Sequence, residues 1–245
     1  MIDISNIYLN YLKQLESKKD RGTEVFHASG AGSCYRKQLY SYYGYPQDEK
    51  DLKSYMILDL GTVVHERIQE SLNWWHTLQK QDHHLYIEDK IEIPILNLVG
   101  SYDVGVHTTD AEFYLWDIKT AAAYKWTTKF GLKKNRKPLS DINYKLQLGT
   151  YAMGARLKYK PEKIIMYLYW YNKNTSQVRE QIVAPDWESK AHEYWTNLNN
   201  ILAANGENFE KSEELEPGIS YGVPFQDWEC KYCSYYGVCP SLLNK

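Results

Sequence analysis

The segment that most restricts this chain is Glu112-Phe113-Tyr114-Leu115-Trp116-Asp117-Ile118-Lys119-Thr120. Its aromatic and branched residues read as a strand over 112–120. Phe113, Leu115, Trp116 and Ile118 surround Asp117, so the strand is internal, and a charge inside an internal strand needs a partner or a purpose. Side chains two apart in a strand share a face. Asp117 and Lys119 therefore project together, while Ile118 points to the core and leaves its backbone carbonyl near the same edge.

The preceding segment, 99–106, is a second short strand that carries Gly100-Ser101-Tyr102-Asp103. The short polar stretch His107-Thr108-Thr109-Asp110 joins the two as a hairpin. An antiparallel hairpin sets the Asp103 carboxylate beside that of Asp117. Two neighbouring carboxylates repel unless a cation lies between them, and Mg²⁺ or Mn²⁺ suits oxygen ligands. A bound ion acidifies water and stabilises charge on a phosphate, and Lys119 adds a positive charge for nucleophile or phosphate.

The rest of the chain places other polar groups around this pair. A helix over roughly 53–80 carries Ile57, Val64, Ile68 and Leu72 on its apolar side and His65 near its middle. If that helix covers the carboxylate edge, His65 is a further ligand, which shifts preference toward Mn²⁺. Glu88 and Glu92, on a strand over 85–95, read as a solvated face, with a water-mediated contact to the metal as the second reading. A helix over 141–157 brings Gln147 and Tyr151 onto one face, where they can orient Lys119 or bond a phosphate. Further helices span 2–18, Ser33 to Tyr43 and 187–204, and further strands span 163–171 and 177–183. This order implies an α/β fold with a small mixed sheet flanked by helices.

Between Lys125 and Lys137 the chain carries Lys125, Lys129, Lys133, Lys134, Arg136 and Lys137 with no acidic residue, and Trp126 and Phe130 lie among them. This loop or partly helical flap reads as a wall that neutralises a nucleic-acid backbone and stacks bases. The overall net charge of −2 from 245 residues neither favours nor excludes such a role, because binding needs a local positive stripe. The expected arrangement is a single domain over 1–245: an N-terminal helical part over 1–50, a catalytic core over 51–205, and a linker and tail over 206–245. No segment reads as a membrane span or a signal peptide, so the expected location is the cytoplasm, or the host cytoplasm for a phage protein.

Four cysteines are present, Cys34, Cys230, Cys233 and Cys239. A reducing compartment disfavours disulfides. Three cluster in the tail, and Cys34 is the only one left to complete a set of four thiolates, which would clip the two ends of the chain together. Zn²⁺ and an iron–sulfur cluster both fit such a set, and spacing does not choose between them.

In order, Cys34, His65, Asp103, Asp117 with Lys119, Gln147 with Tyr151, and Cys230, Cys233 and Cys239 resemble the RecB-like branch of the PD-(D/E)XK nuclease superfamily. The likeness extends to the iron–sulfur exonucleases related to the CRISPR-adaptation nuclease and to the nuclease domain of AddB. Tyr102 stands where the superfamily name has proline. The resemblance implies a restriction-endonuclease-like core and a [4Fe–4S] cluster rather than zinc. It implies His65, Asp103, Asp117 and the Ile118 carbonyl as metal ligands, and Lys119 as the catalytic lysine. It also implies DNA with single strands or free ends as substrate, with 5′-to-3′ polarity the weaker part. With no helicase motor, the chain is expected to act alone or with a helicase or recombination partner, and its size suits a phage or other mobile element. Two alternatives stay open: a non-catalytic DNA-binding or assembly module of a recombination or DNA-processing complex, and a zinc-stapled structure-specific endonuclease.

Overall fold

The structure is a computed structural model. It describes residues 3–18, 22–78, 82–131, 140–211, 219–220, 223–224, 230 and 232–239. Helices α1 (Ile4–Ser17), α2 (Tyr35–Tyr42) and α3 (Leu52–Leu78) come first, with a two-residue strand β1 (Phe26–His27) between α1 and α2. Strands β2 (His84–Ile93), β3 (Leu98–His107) and β4 (Glu112–Ala121) follow. Then come α4 (Ala123–Lys129), α5 (Ile142–Tyr159), β5 (Lys163–Asn172), β6 (Val178–Val183) and α6 (Asp186–Asn205). The expected helices and the five long strands are present. β1 was not anticipated, because it is too short to show a period, and α4 is the helical part of the segment read as a loop or partly helical flap.

The main sheet is mixed. β2 and β3 pair antiparallel, β3 and β4 pair antiparallel, β4 and β5 run parallel, and β5 and β6 pair antiparallel. One edge of β3 is shared. Val104 to His107 face Trp116 to Phe113 of β4, whereas Leu98 and Val99 face Phe26 and His27 of β1. Between these two pairings, residues 100–103 have no strand partner on that edge. β2 is also interrupted at this level: Ile87 faces Val104 and Asp89 faces Tyr102, but Glu88, at a φ of 49°, is out of register. Asp103 thus lies where the ladder opens on both sides.

Helix α5 fixes what stands over that opening. Ten consecutive residues, Leu146 to Ala155, are buried, so this helix is enclosed rather than laid on a surface, and its apolar residues do not gather on one stripe. Two glycines make the enclosure feasible. A Cβ at Gly149 would come within 2.2 Å of the Trp187 carbonyl oxygen at the start of α6, and one at Gly154 within 2.5 Å of Ile91 in β2. By contrast α3 is mostly peripheral. Only Gln69 is fully buried along it, and Met56, Ile57, Leu58, Leu60 and Val63 are exposed. Ile57 therefore does not lie on a packed face as its spacing suggested.

The expected restriction-endonuclease-like sheet with flanking helices is present, but the expected cysteine-ligated cluster is not. None of the four cysteines is in a disulfide. Among the described residues, no group of three or more His, Cys, Asp or Glu side chains is placed to hold a metal ion. This overturns both the iron–sulfur and the zinc reading of the tail. The tail docks by packing instead. Tyr235 stacks on Tyr40 of α2, the Asp48 N–H donates to the Ser234 carbonyl at 2.7 Å, and the Gly237 N–H donates to the Asp48 carboxylate at 3.0 Å. Burial pushes the Cys34 and Cys233 thiols up, and neighbouring cysteines add to the effect. Neutral thiols in such surroundings act as small apolar groups. Sequence clustering of the cysteines thus reported proximity in space, not ligation.

Replacing Gly149 by alanine improves helix propensity by about 1 kcal/mol but drives a methyl group into the α6 backbone. We expect G149A to be destabilised by about 1–3 kcal/mol, as for other overpacked interiors. Urea unfolding monitored by tryptophan fluorescence checks this, and a variant as stable as the wild type would show that α5 and α6 are not locked at this point.

Candidate active site

At the opening in the ladder, the Asp103 carboxylate takes the place of a missing strand partner. Its Oδ2 accepts the Ile118 backbone N–H at 2.5 Å. The Asp103 carbonyl in turn accepts from Gln69 Nε2 at 3.2 Å, and the same amide donates to Glu88 Oε1 at 2.7 Å. Ser101 Oγ donates to Glu88 Oε2 at 3.2 Å. Glu88, expected on a solvated face, is turned by its left-handed backbone into the surroundings of Asp103.

Asp117 is buried (1% exposed), on the same alternation as Phe113 and Leu115. Its Oδ2 lies 2.7 Å from Lys119 Nζ. Lys119 approaches this oxygen off the ideal hydrogen-bond axis, and no other described group donates to it. Lys119 Nζ also donates to Gln147 Oε1 at 2.9 Å, and Gln147 Nε2 donates to Tyr151 Oη at 2.7 Å. A continuous polar path therefore runs Asp117, Lys119, Gln147, Tyr151. The predicted helix face of Gln147 and Tyr151 does meet Lys119.

The electrostatics follow from burial. Burial raises the Asp117 carboxyl to about 7 against the opposing pull of Lys119, and the Asp103 charge adds to the rise. Burial likewise raises Asp103 to about 6, opposed by Lys119 and by the Ile118 N–H. Burial disfavours the Lys119 ammonium, but Asp117 and Asp103 outweigh it and hold its pKa above the ordinary lysine value. His65 sits with Nδ1 3.7 Å from Asp103 Oδ2, and burial and then Lys119 lower its pKa, which favours the neutral ring.

The structure thus brings His65, Asp103, Asp117, Ile118, Lys119, Gln147 and Tyr151 to one place. It does not assemble the expected resident Mg²⁺ or Mn²⁺ centre. His65 and the carboxylates do not form a three-group set that could hold an ion, and no other such set occurs among the described residues. Both carboxylates already have partners within the protein, Asp103 in the Ile118 N–H and Asp117 in Lys119.

The basic segment divides. Trp126 is 2% exposed and packs edge-on to Phe130, so it lies in the core and not on an exposed stacking wall. Lys129 is paired with the buried Asp141, which also holds Lys145 at 2.9 Å and accepts from Gln181 at 2.9 Å. Lys125 donates to the Tyr144 hydroxyl. Lys133, Lys134, Arg136 and Lys137 lie outside the described residues. Sequence reading missed Gln69, which holds the Asp103 carbonyl, and Tyr144, whose ring lies 5.0 Å from Lys119 Nζ. The spacing of Tyr144, Gln147 and Tyr151 along one helix face was a usable signal for Tyr144. Nothing local marked Gln69.

Comparison with known proteins agrees with this geometry. The family model for the PD-(D/E)XK nuclease superfamily matches residues 46–240. The chain belongs to the PD-(D/E)XK nuclease superfamily. Its fold is similar to the crystal structure of the protein SSO0001, at 18% identity and a TM-score of 0.57, with 98% of each chain covered. It is also similar to a candidate exonuclease from Eubacterium rectale, at 14% identity and a TM-score of 0.50, over 85% of this chain and 88% of that one. No curated protein matches the sequence. Among the described residues, no helix is long and apolar enough to cross a membrane.

The raised Asp103 carboxyl has a consequence for stability. From about pH 4 to about pH 6 the native state keeps a proton that the unfolded chain releases, so the folded state loses ground as pH rises through that window. Asp103→Asn keeps an oxygen to accept the Ile118 N–H and removes the titration. In chelator, the stability of D103N relative to wild type should increase from pH 4 to pH 7, by up to about 3 kcal/mol. Urea denaturation at pH 4, 6 and 8 measures it; a pH-independent difference would contradict the placement of Asp103.

Proposed function

We propose that this chain is a deoxyribonuclease of the RecB-like branch, hydrolysing phosphodiester bonds in single-stranded or end-bearing DNA in a divalent-cation-dependent reaction. The observation that carries the proposal is the buried Asp117 oxygen that meets the Lys119 ammonium alone and no other described donor, set beside Asp103. A buried, under-satisfied carboxylate oxygen costs stability, and a cation that arrives with the substrate would relieve that cost. Asp103, Asp117 and the Ile118 carbonyl, with neutral His65 alongside, are the residues that would hold it. When bound, such a cation lowers the pKa of water and neutralises charge on the phosphate.

The chain's own residues do the remaining work. The Asp103–Ile118 hydrogen bond fixes the backbone that carries the carbonyl. Gln147 and Tyr151 hold Lys119 by its ammonium, which keeps the positive charge where a phosphate oxygen gains negative charge in the transition state. The low-dielectric surroundings of Asp117 strengthen each of these interactions. The polarity of degradation in this reading is 5′ to 3′, carried only by the likeness to the RecB-like exonucleases.

Purified protein should degrade end-labelled linear single-stranded DNA when magnesium or manganese is added and leave it intact in chelator. D117N and K119M should each lose at least about 100-fold in rate, the size of effect seen when a single transition-state contact is removed. Wild-type activity in D117N, or binding without cleavage in every cation tried, would replace this reading with a non-catalytic DNA-binding module. Labelling each DNA end in turn, with a circular control, reads the polarity.

A further inference from the structure

The lysines beyond the catalytic strand are not equivalent. Lys129 and Lys145 are taken up by Asp141. Lys125 and Lys173 are not: among the described residues neither pairs with a carboxylate, and both are held by neutral groups. Lys125 Nζ donates to Tyr144 Oη and lies 4.7 Å from the centre of that ring, while Lys119 Nζ lies over the same ring at 5.0 Å. Lys173 follows the last residue of β5 and donates its ammonium to the Ile57 carbonyl of α3 at 3.1 Å. Its segment is tied to the start of α4. The Lys173 N–H donates to the Ala121 carbonyl at 2.9 Å, and the Ala123 N–H donates to Asn174 Oδ1 at 2.7 Å. Burial lowers the Lys173 pKa, and the charge of Lys125 lowers it further, so the two ammonium groups feel one another.

Cations held side by side without an anion are a local electrostatic cost. The π face of Tyr144 offsets part of it for Lys119 and Lys125, but among the described residues Lys173 has no such face. Lys119, Lys125 and Lys173 thus continue outward from the carboxylates, across Tyr144, to the edge of α3. We propose that Lys125 and Lys173 form a second phosphate site, which takes the phosphodiester next to the one at Lys119. The ligand is the backbone of a polynucleotide strand, and the two ammonium groups bind it as paired point charges. The site rests on the nuclease reading for its neighbour at Lys119. It makes a strand of at least two phosphodiesters the preferred substrate.

Binding of a fluorescent oligothymidylate in chelator, followed by anisotropy across a potassium chloride series, tests the site without any cleavage. Each phosphate contact on a single strand contributes about 0.7 to the slope of log affinity against log salt. K125M and K173M, which keep the apolar stems, should each lower the slope by about 0.7, and the double variant by about 1.4. K173R should keep the wild-type slope. K163M, which removes a lysine paired with Glu112 at the far end of β5, should also keep it. A double variant with an unchanged slope overturns the site. If K173M loses its fold, K125M, which leaves the α3 contact in place, carries the same test. The two readings fail separately. Reduced slopes in a protein that never cleaves DNA would uphold the phosphate site and reject the nuclease. D117-dependent cleavage with unchanged slopes would uphold the nuclease and reject the site.

Discussion

The hydrogen bond from the Ile118 backbone to the Asp103 carboxylate is the constraint on which the site depends. β3 and β4 pair normally up to Val104 and Trp116 and then separate. A backbone N–H left open inside a protein is costly, and the Asp103 side chain closes it. The same bond places a carboxylate where a ladder carbonyl would have been. Sheet continuity and the acidic character of the site are therefore one feature. The gap is held from behind by Gln69 on α3, which bonds the Asp103 carbonyl and Glu88 together. In this way the peripheral helix α3 is coupled to the edge that carries Asp103 through a buried amide.

The second constraint is a shortage of positive charge. Asp103 and Asp117 face one lysine, and His65 is driven toward its neutral form by burial. Burying an ion pair recovers its desolvation cost only with good geometry and satisfied neighbours. Here the Lys119 ammonium is shared between Gln147 and Asp117, and no other described group donates to that Asp117 oxygen. The folded protein therefore sets two buried carboxylates against one buried ammonium. Structural ion pairs elsewhere in the chain are treated differently. Asp141 is met by Lys129, Lys145 and Gln181 together. That contrast separates a fully met carboxylate from one that is only partly met.

What could be read from sequence is what has a short period. The alternation of 112–120 gave the face shared by Asp117 and Lys119, and the helical spacing of Gln147 and Tyr151 gave the face that meets it. The polar turn at 107–110 gave the hairpin. Contacts made across the fold were not legible. Gln69 looks like any helix residue until its amide is seen against Asp103, and Lys173 is an ordinary residue after a strand until α3 presents a carbonyl to it. Composition misled in two places. Trp126 lies among lysines, yet α4 turns it inward to 2% exposure. The cysteines cluster, yet the tail is docked by Tyr235 on Tyr40 and by Asp48, with burial favouring neutral thiols.

Helix α5 supplies most of the site's rigidity, because its functional face and its packing face are set by the same register. Tyr144, Gln147 and Tyr151 fall at three- and four-residue steps and turn toward Lys119. Gly149 and Gly154 press against α6 and β2, at approaches that no larger residue allows without displacement. A helix touched closely by backbone on one side and by a β-strand on another cannot rotate or slide without losing both contacts, since packed interiors have little free volume. The Lys119 ammonium is therefore positioned by groups up to a full helix width away. A small shift of α5 would move Gln147 off Lys119 before it disturbed either carboxylate, so the lysine's aim is the part of the site most exposed to distant packing changes.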